Sequence, residues 1–455
     1  MLGCAPAARA PGGTPFDPQA GRLAVYVDPL PPEAAGLGVR LAAIDAVRED
    51  GSTVPLPLAR EQISAAKTGG EHLLATGSVP AGRYRGLSVA VAEATLSGEQ
   101  GISALRVPEG GRRIDLSFAV APRTGTVILL GLDLRGALAE TYRFDPAFVA
   151  RIPMRPPAGL IGYAVLAEAG ALLAFNKRTG QVAGLTPVGR SPTGLALDRS
   201  RRRVYAALAA EDALIAIDME QGAVIDRRPL RGGDAPVDLA LTPDGTRMLV
   251  VNEGSSTIAI VDAYGLVETG RIQVGDGPRS ILIDRLGRRA YVACARADRI
   301  DVIDIERGAL AGSIATDPEP LRAQLNRDET RLFVIQGGSP HILIADPRSL
   351  GVPQRVFVGL GQQAAKIDPR TDRLYIARRG AGAIEVFDPH SLLAVDRLPT
   401  PSTPGYLTID RDENTLVATL PETREVRIIG LVSRSVSAVV EAGFEVGYIA
   451  LAGER

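Results

Sequence analysis

From residue 278 to 319 the chain reads PRSILIDRLGRRAYVACARADRIDVIDIERGALAGSIATDPE, short apolar runs broken by charged and glycine-containing turns. Runs of this length, rich in β-branched residues and bounded by turn formers, predict strands. Four are expected here, over residues 280–284, 289–295, 299–305 and 309–316. The outline recurs. A polar residue closes the first strand of each unit at Asp198, Thr242, Asp284, Asn326, Asp368 and Asp410, with spacings of 44, 42, 42, 42 and 42. Another stands near the end of the third strand at Asn176, Asp218, Asp262, Asp304, Asp346 and Asp388, spaced 42, 44, 42, 42 and 42. The second strand carries Tyr205, Tyr291, Phe333 or Tyr375, and a proline precedes the first at Pro192, Pro236, Pro278, Pro320 and Pro404. Four short strands in about 42 residues are the signature of a β-propeller blade.

Two ends decide the count. Units beginning at Pro192, Pro236, Pro278, Pro320, Gln362 and Pro404 give six blades. Upstream, residues 163–168, 171–176 and 181–188 supply the second, third and fourth strands of another, and residues 447–452 at the far end match its first. A seventh blade closed by mixed termini, three strands plus one, is the expectation; closure removes open sheet edges. The recurring Asp and Asn residues lie one per blade, which predicts turn capping through Asx bonds and not a metal cluster. Residues 410–414 (DRDEN) start like a calcium loop but lack the glycine at its sixth position and the later glutamate.

Residues 20–155 show no such period. Strands are expected over 22–27, 39–47, 53–58, 87–92, 101–107, 113–120 and 126–134, with Gly/Pro turns between them, which suggests a β-sandwich. Tyr84, after a glycine turn, reads as a core or corner tyrosine, and His72 as a lone residue in a polar loop. The fold class is therefore all-β, with residues 1–19 a stalk, 20–155 a sandwich and 158–455 a seven-bladed propeller.

Composition narrows the function classes. The formal net charge is -1, so no overall field recruits nucleic acid or an anionic membrane. Aromatic residues make up 4% with no Trp, low for a protein that stacks on bases or sugars. No run of about 18 apolar residues is present to span a bilayer. Lysine occurs only at Lys67, Lys177 and Lys366, a bias toward Arg that a GC-rich genome explains. Two cysteines make no disulfide framework, and Cys294, alternating with apolar neighbours, reads as a small buried residue. Cys4 lies in MLGC, before the small, Pro-rich residues 5–15.

Met1-Leu2-Gly3-Cys4 resembles the lipobox of bacterial lipoproteins. The resemblance implies acylation of Cys4, a charged and then apolar signal segment upstream of Met1, and residues 5–18 as a flexible stalk. Residues 80–84 (PAGRY), 105–108 (LRVP), 118–120 (FAV), 132–134 (LDL) and 144–146 (FDP) resemble a family of secreted, often lipid-anchored bacterial domains. Its immunoglobulin- or transthyretin-like sandwich carries no chemistry to transfer. Repeats such as Arg289-Ala290-Tyr291-Val292-Ala293 with Ile303-Asp304 resemble the YVTN-type family of secreted seven-bladed propellers over about residues 160–452. More distant kin include sugar lactonases and the haem d1 propeller of nitrite reductases, so the resemblance selects a fold and no one function.

Propeller ligands usually bind at the funnel where the first strands begin, which makes Asp238, Arg279, Arg322, Gln363, Tyr406, Glu445 and Tyr448 candidate site residues. A rim of Arg, Tyr and acid can hold a small anionic or peptidic ligand through charge-assisted bonds; a solvated, self-paired rim is the competing reading. A lactonase site would bring His, Glu and Arg together, yet His341 and His390 fall near the outer strands. Haem attachment by CxxCH, G-x-S-x-G, H-E-x-x-H and P-loop motifs are missing. The expectation is a non-catalytic, monomeric protein lipid-anchored in the bacterial cell envelope, at the outer membrane on its periplasmic or surface face. It would bind an unidentified envelope protein or small ligand, with no cofactor, metal or nucleic acid. The alternative is a lactonase-like hydrolase of sugar lactones.

Overall fold

The computed structural model describes residues 19–30, 34, 36–64, 70–98, 101–133, 138–139, 143–145 and 147–453. Cys4 and the expected stalk lie outside them. The described chain is all-β, and between Ile161 and Leu451 it forms seven four-stranded antiparallel sheets in succession, the arrangement of a β-propeller. In one of them Pro278–Ile283, Arg289–Cys294, Arg299–Asp304 and Ala309–Ala315 pair in that order. The second and third strands are buried along nearly their whole length, whereas the fourth alternates or is exposed. Strands covered on both faces read as continuous apolar runs, and this is why RAYVAC lacks the alternation that the outer strand ALAGSIA allows.

The first of these sheets draws on both ends of the repeat region. Ile161–Leu166, Ala171–Asn176 and Val182–Pro187 supply three strands, and Val446–Leu451 pairs antiparallel with Ile161–Leu166 as the fourth. The innermost strands stand side by side in chain order, and Val446–Leu451 touches both Tyr406–Asp410 and Pro192–Asp198.

The periodic polar residues cap turns. Asp218, Asp304, Asp346 and Asp388 each accept a backbone N–H two or three residues on, through Oδ1. Asp284 Oδ1 accepts from Arg288 N at 2.7 Å, and Asp410 Oδ1 from Asp412 N at 3.0 Å. No group of three or more metal-ligating side chains occurs among the described residues. Pro192, Pro236, Pro278 and Pro320 open first strands, where no ladder N–H is needed, and Pro404 lies two residues before one. A register shift follows at once, between Pro236 and Asp238, Pro278 and Ser280, and Pro320 and Arg322. Such bulges re-aim the next side chain.

The described residues of the N-terminal region build two larger sheets and a two-stranded pair, Leu138–Ala139 with Arg143–Phe144. Ala20–Val27 lies between His72–Pro80, antiparallel, and Gly125–Asp133, parallel, with Ala147–Arg151 at the edge. Leu37–Arg48 and Gly82–Gly98 centre a six-stranded sheet. Leu23, Val25 and Ile128 of the first share a core with Leu41, Ile44, Leu87 and Val89 of the second. Tyr84 stacks on Phe118 with centroids 5.2 Å apart and donates its hydroxyl to Pro80 O at 2.7 Å, a corner tyrosine.

The opposite face of the first sheet is also covered. Ala24, Tyr26, Leu73, Val127 and Leu129 join Leu166, Phe175, Leu185, Val440 and Val446 of the repeat region in a second core. His72 is not a loop residue: it opens the strand His72–Pro80 and places Nδ1 2.7 Å from Glu441 Oε2. Arg60 reaches the same carboxylate at 2.9 Å, and Glu71 Oε2 accepts Val182 N–H at 2.9 Å.

Candidate ligand-binding site

One position per repeat sets the innermost ring. Counting in repeat spacings along the first strands, the equivalent residues are Gly194, Asp238, Ser280, Arg322, Ala364, Tyr406 and Tyr448, separated by 44 and then five times by 42. Four large polar side chains thus alternate with three small ones. Arg322 is the centre of the group. Its Nη1 lies 4.0 Å from Asp238 Oδ2, and its Cζ sits 4.7 Å from the Tyr406 ring centroid and 5.3 Å from that of Tyr448. The two tyrosine rings are 4.3 Å apart, tilted by 34°. These residues come from strands of four different sheets, so their contact requires side chains projecting into a shared interior.

The ring explains the space. Ser280 and Ala364, from the two strands flanking that of Arg322, are too short to cover the guanidinium, and Ser280 Oγ is turned away to donate to Leu321 O at 2.9 Å. Gly194 is required beside Asp238: a Cβ there would lie 2.6 Å from the Asp238 Cα. Arg322 keeps 22% of its side chain accessible, whereas Asp238 keeps 2%.

Asp238 is a buried acid with several donors. Leu239 N–H reaches Oδ1 at 2.9 Å and Ile281 N–H reaches Oδ2 at 3.1 Å. Burial pushes its carboxyl up to about 6, although Arg322, those two amides and the Tyr448 hydroxyl pull the other way. Arg322 shows the reverse balance. Burial works against its charge, but Tyr406, Tyr448 and Asp238 more than compensate, and the guanidinium stays protonated with its pKa raised. A cation stacked on aromatic faces and partly desolvated is worth more than one in water. With its fork geometry and a carboxylate no nearer than 4.0 Å, it suits a planar anion bound through two N–H donors.

The other three sequence candidates stand apart from this group. Arg279 faces Glu319 at 3.5 Å, with both side chains about half exposed. Gln363 Oε1 accepts from Arg379 Nη2 at 3.2 Å at the surface, and Glu445 is exposed. Sequence reasoning missed the small ring positions Gly194, Ser280 and Ala364, which the repeat spacing identifies. It also missed Lys177, fully buried 2.7 Å from an equally buried Asp410.

A cleft of about 700 Å³ opens elsewhere, between the outer parts of two neighbouring sheets. Two of its three arginines are committed: Arg271 pairs with Asp234 and Glu268 at 2.7 Å, and Arg247 donates to Ile305 O at 3.1 Å, while the exposed Arg307 stands 3.7 Å from Asp304.

No protein-family model matches the chain, and no curated protein matches it. Solved structures do. Hydrazine synthase of Kuenenia stuttgartiensis is similar at 18% identity with a TM-score of 0.53, over 64% of this chain and 95% of that one. A functionally unknown protein from Desulfotomaculum acetoxidans DSM 771 gives 16% and 0.55, over 64% of this chain and 98% of that one. Dihydro-heme d1 dehydrogenase NirN, in complex with DHE, gives 14% and 0.52, over 66% and 77%. At these identities the likeness is one of fold, and the fold is that of β-propeller proteins.

Proposed function

We propose that this chain is a non-catalytic binding protein that takes a small organic carboxylate at Arg322. The observation that carries the reading is the ring itself: a partly accessible Arg322 side chain, between the strands of Ser280 and Ala364, with its guanidinium against the Tyr406 and Tyr448 rings. In this reading the seven sheets between Ile161 and Leu451 are the blades of a YVTN-type propeller closed by Val446–Leu451, and Arg322 looks into its central channel. Residues 20–155 form an immunoglobulin- or transthyretin-like sandwich that braces the first and last blades. Cys4, with its lipobox-like setting, anchors the protein in a bacterial envelope. The shared core across the two regions supports the bracing role, and the four-stranded sheets support the propeller.

A thermal-shift screen of the full chain against small carboxylates tests the site. Stabilisation by at least one of them, lost in Arg322→Ala and kept in Arg279→Ala, is the expected result. Stabilisation that survives Arg322→Ala moves the site elsewhere. Incorporation of radiolabelled palmitate at Cys4 tests the anchor separately. A hydrolase reading has one observation in its favour, the almost wholly buried Asp238 beside Arg322, whose carboxyl burial pushes up to about 6, within the range of a general acid or base. Turnover of sugar lactones, abolished by Asp238→Asn, would establish it.

A further inference from the structure

The same site contains its own anion. Asp238 is the only carboxylate that the structure places against Arg322 among the described residues, and it is almost wholly buried, whereas the Arg322 side chain is partly accessible. An anion arriving at Arg322 would therefore place two carboxylates on one guanidinium in a partly desolvated space. Two like charges sharing such a site do not both stay ionised.

We infer that anion binding at Arg322 is coupled to proton uptake: the incoming carboxylate takes over as counter-charge and Asp238 accepts one proton from solvent. This rests on the reading that Arg322 is the ligand site, and adds to it a linkage between occupancy and pH. The geometry offers the proton one acceptor. Facing Asp238 are Arg322 from Pro320–Leu325 and the Tyr448 hydroxyl from Val446–Leu451, with Tyr406 from Tyr406–Asp410 behind them on the guanidinium. The strand Pro192–Asp198 contributes Gly194, which has no side chain, and Pro278–Ile283 contributes the Ile281 amide. Arg279 of the latter strand pairs with Glu319 instead. Arginine does not titrate in this range and an unperturbed tyrosine ionises only near 10. The acid is also poised for the task, since burial already holds its carboxyl near 6 before any ligand arrives. Once protonated, it can donate its O–H where it previously only accepted.

The probe is benzoate, a carboxylate that stays ionised throughout the range used. Calorimetric titration of the full chain at pH 7.5, in Tris and in imidazole, separates the buffer's ionisation heat from the binding heat without competing buffer anions. Uptake approaching one proton per benzoate is expected, with affinity rising about tenfold for each pH unit lowered from 8 toward 6.5, as one linked proton requires. Asp238→Asn should bind more tightly than the wild type at pH 7.5 and lose the pH dependence. Benzoate binding that depends on Arg322 but takes up no proton and is flat with pH overturns the coupling and leaves the site standing. Binding to neither protein at pH 6 or pH 8 overturns both. The two-buffer measurement uses the unmutated chain, so poor folding of Asp238→Asn would not rescue the inference.

Discussion

Replacing Lys177 by methionine should cost more than any other single change outside the apolar cores. The ammonium is completely buried, 2.7 Å from the equally buried Asp410 Oδ2, and donates to the Ala452 carbonyl. It thus joins three parts of the chain: the end of Ala171–Asn176, the end of Tyr406–Asp410, and the segment just beyond Val446–Leu451. Asp412 stands 3.8 Å away, and Gly453 packs so closely that a Cβ would lie 3.0 Å from the Lys177 Nζ. Methionine fills most of the volume but leaves Asp410 buried with only the backbone N–H groups of Asp412 and Glu413 as donors. Breaking a buried pair by removing one partner costs about 3–5 kcal/mol. Net stabilities run at about 5–15 kcal/mol, so the loss is a large fraction of the total. Urea unfolding followed by circular dichroism would show it as a lower midpoint. The double variant Lys177→Met, Asp410→Leu should recover much of the loss, because no charge is then left unpaired. A Lys177→Met protein within about 1 kcal/mol of wild type, below that range, would refute the claim that this pair fastens the two ends together.

Three further outcomes follow from the packing. Deleting residues 447–455 removes the buried Ile449 and Leu451 and most of the pairing to Ile161–Leu166; at about 2 kcal/mol per buried side chain and about 1 kcal/mol per ladder bond, the truncated protein should aggregate or lose its cooperative melt. A soluble, cooperatively melting truncation would contradict closure by that strand. At the interface between the N-terminal region and the repeats, burial works against the Glu441 charge but His72 and Arg60 outweigh it, and its carboxyl is held below the usual range. A depressed carboxyl stabilises the fold above its unfolded value, and that stability is lost as pH falls through the folded value. Glu441→Gln should therefore flatten the acid limb of a stability–pH profile, and an unchanged limb would exclude the pair as its source. Tyr84→Phe removes the hydroxyl bond to Pro80 O and should cost about 1–2 kcal/mol in urea unfolding; no change would mean the corner is held by the Phe118 stack alone.

How much of this was legible depends on what repeats. The turn-capping Asp and Asn residues recur at 42 or 44 because every unit needs the same turns, and they revealed the four-stranded sheets directly. The site was half legible. Asp238, Arg322, Tyr406 and Tyr448 meet as a group, but Arg279 and Gln363 each stand one residue before the ring positions Ser280 and Ala364. In a strand a shift of one residue sends the side chain to the other face, and the register shifts between Pro278 and Ser280 and between Gln362 and Ala364 set which residue points inward there. The contact between the two regions left a trace in RLAVYV, whose unbroken apolar run reflects burial on both faces: Leu23 and Val25 enter one core, Ala24 and Tyr26 the other. Lys177 left none, because a single buried lysine outside the periodic positions looks in sequence like any surface lysine.

A crystal structure of the full chain with benzoate tests the Arg322 site most directly. The carboxylate should lie within hydrogen-bonding distance of the Arg322 guanidinium, beside Ser280 and Ala364 and near the Tyr406 and Tyr448 rings. Benzoate bound only elsewhere, for example in the cleft by Arg247 and Arg271, with Arg322 unchanged beside Asp238, would contradict it.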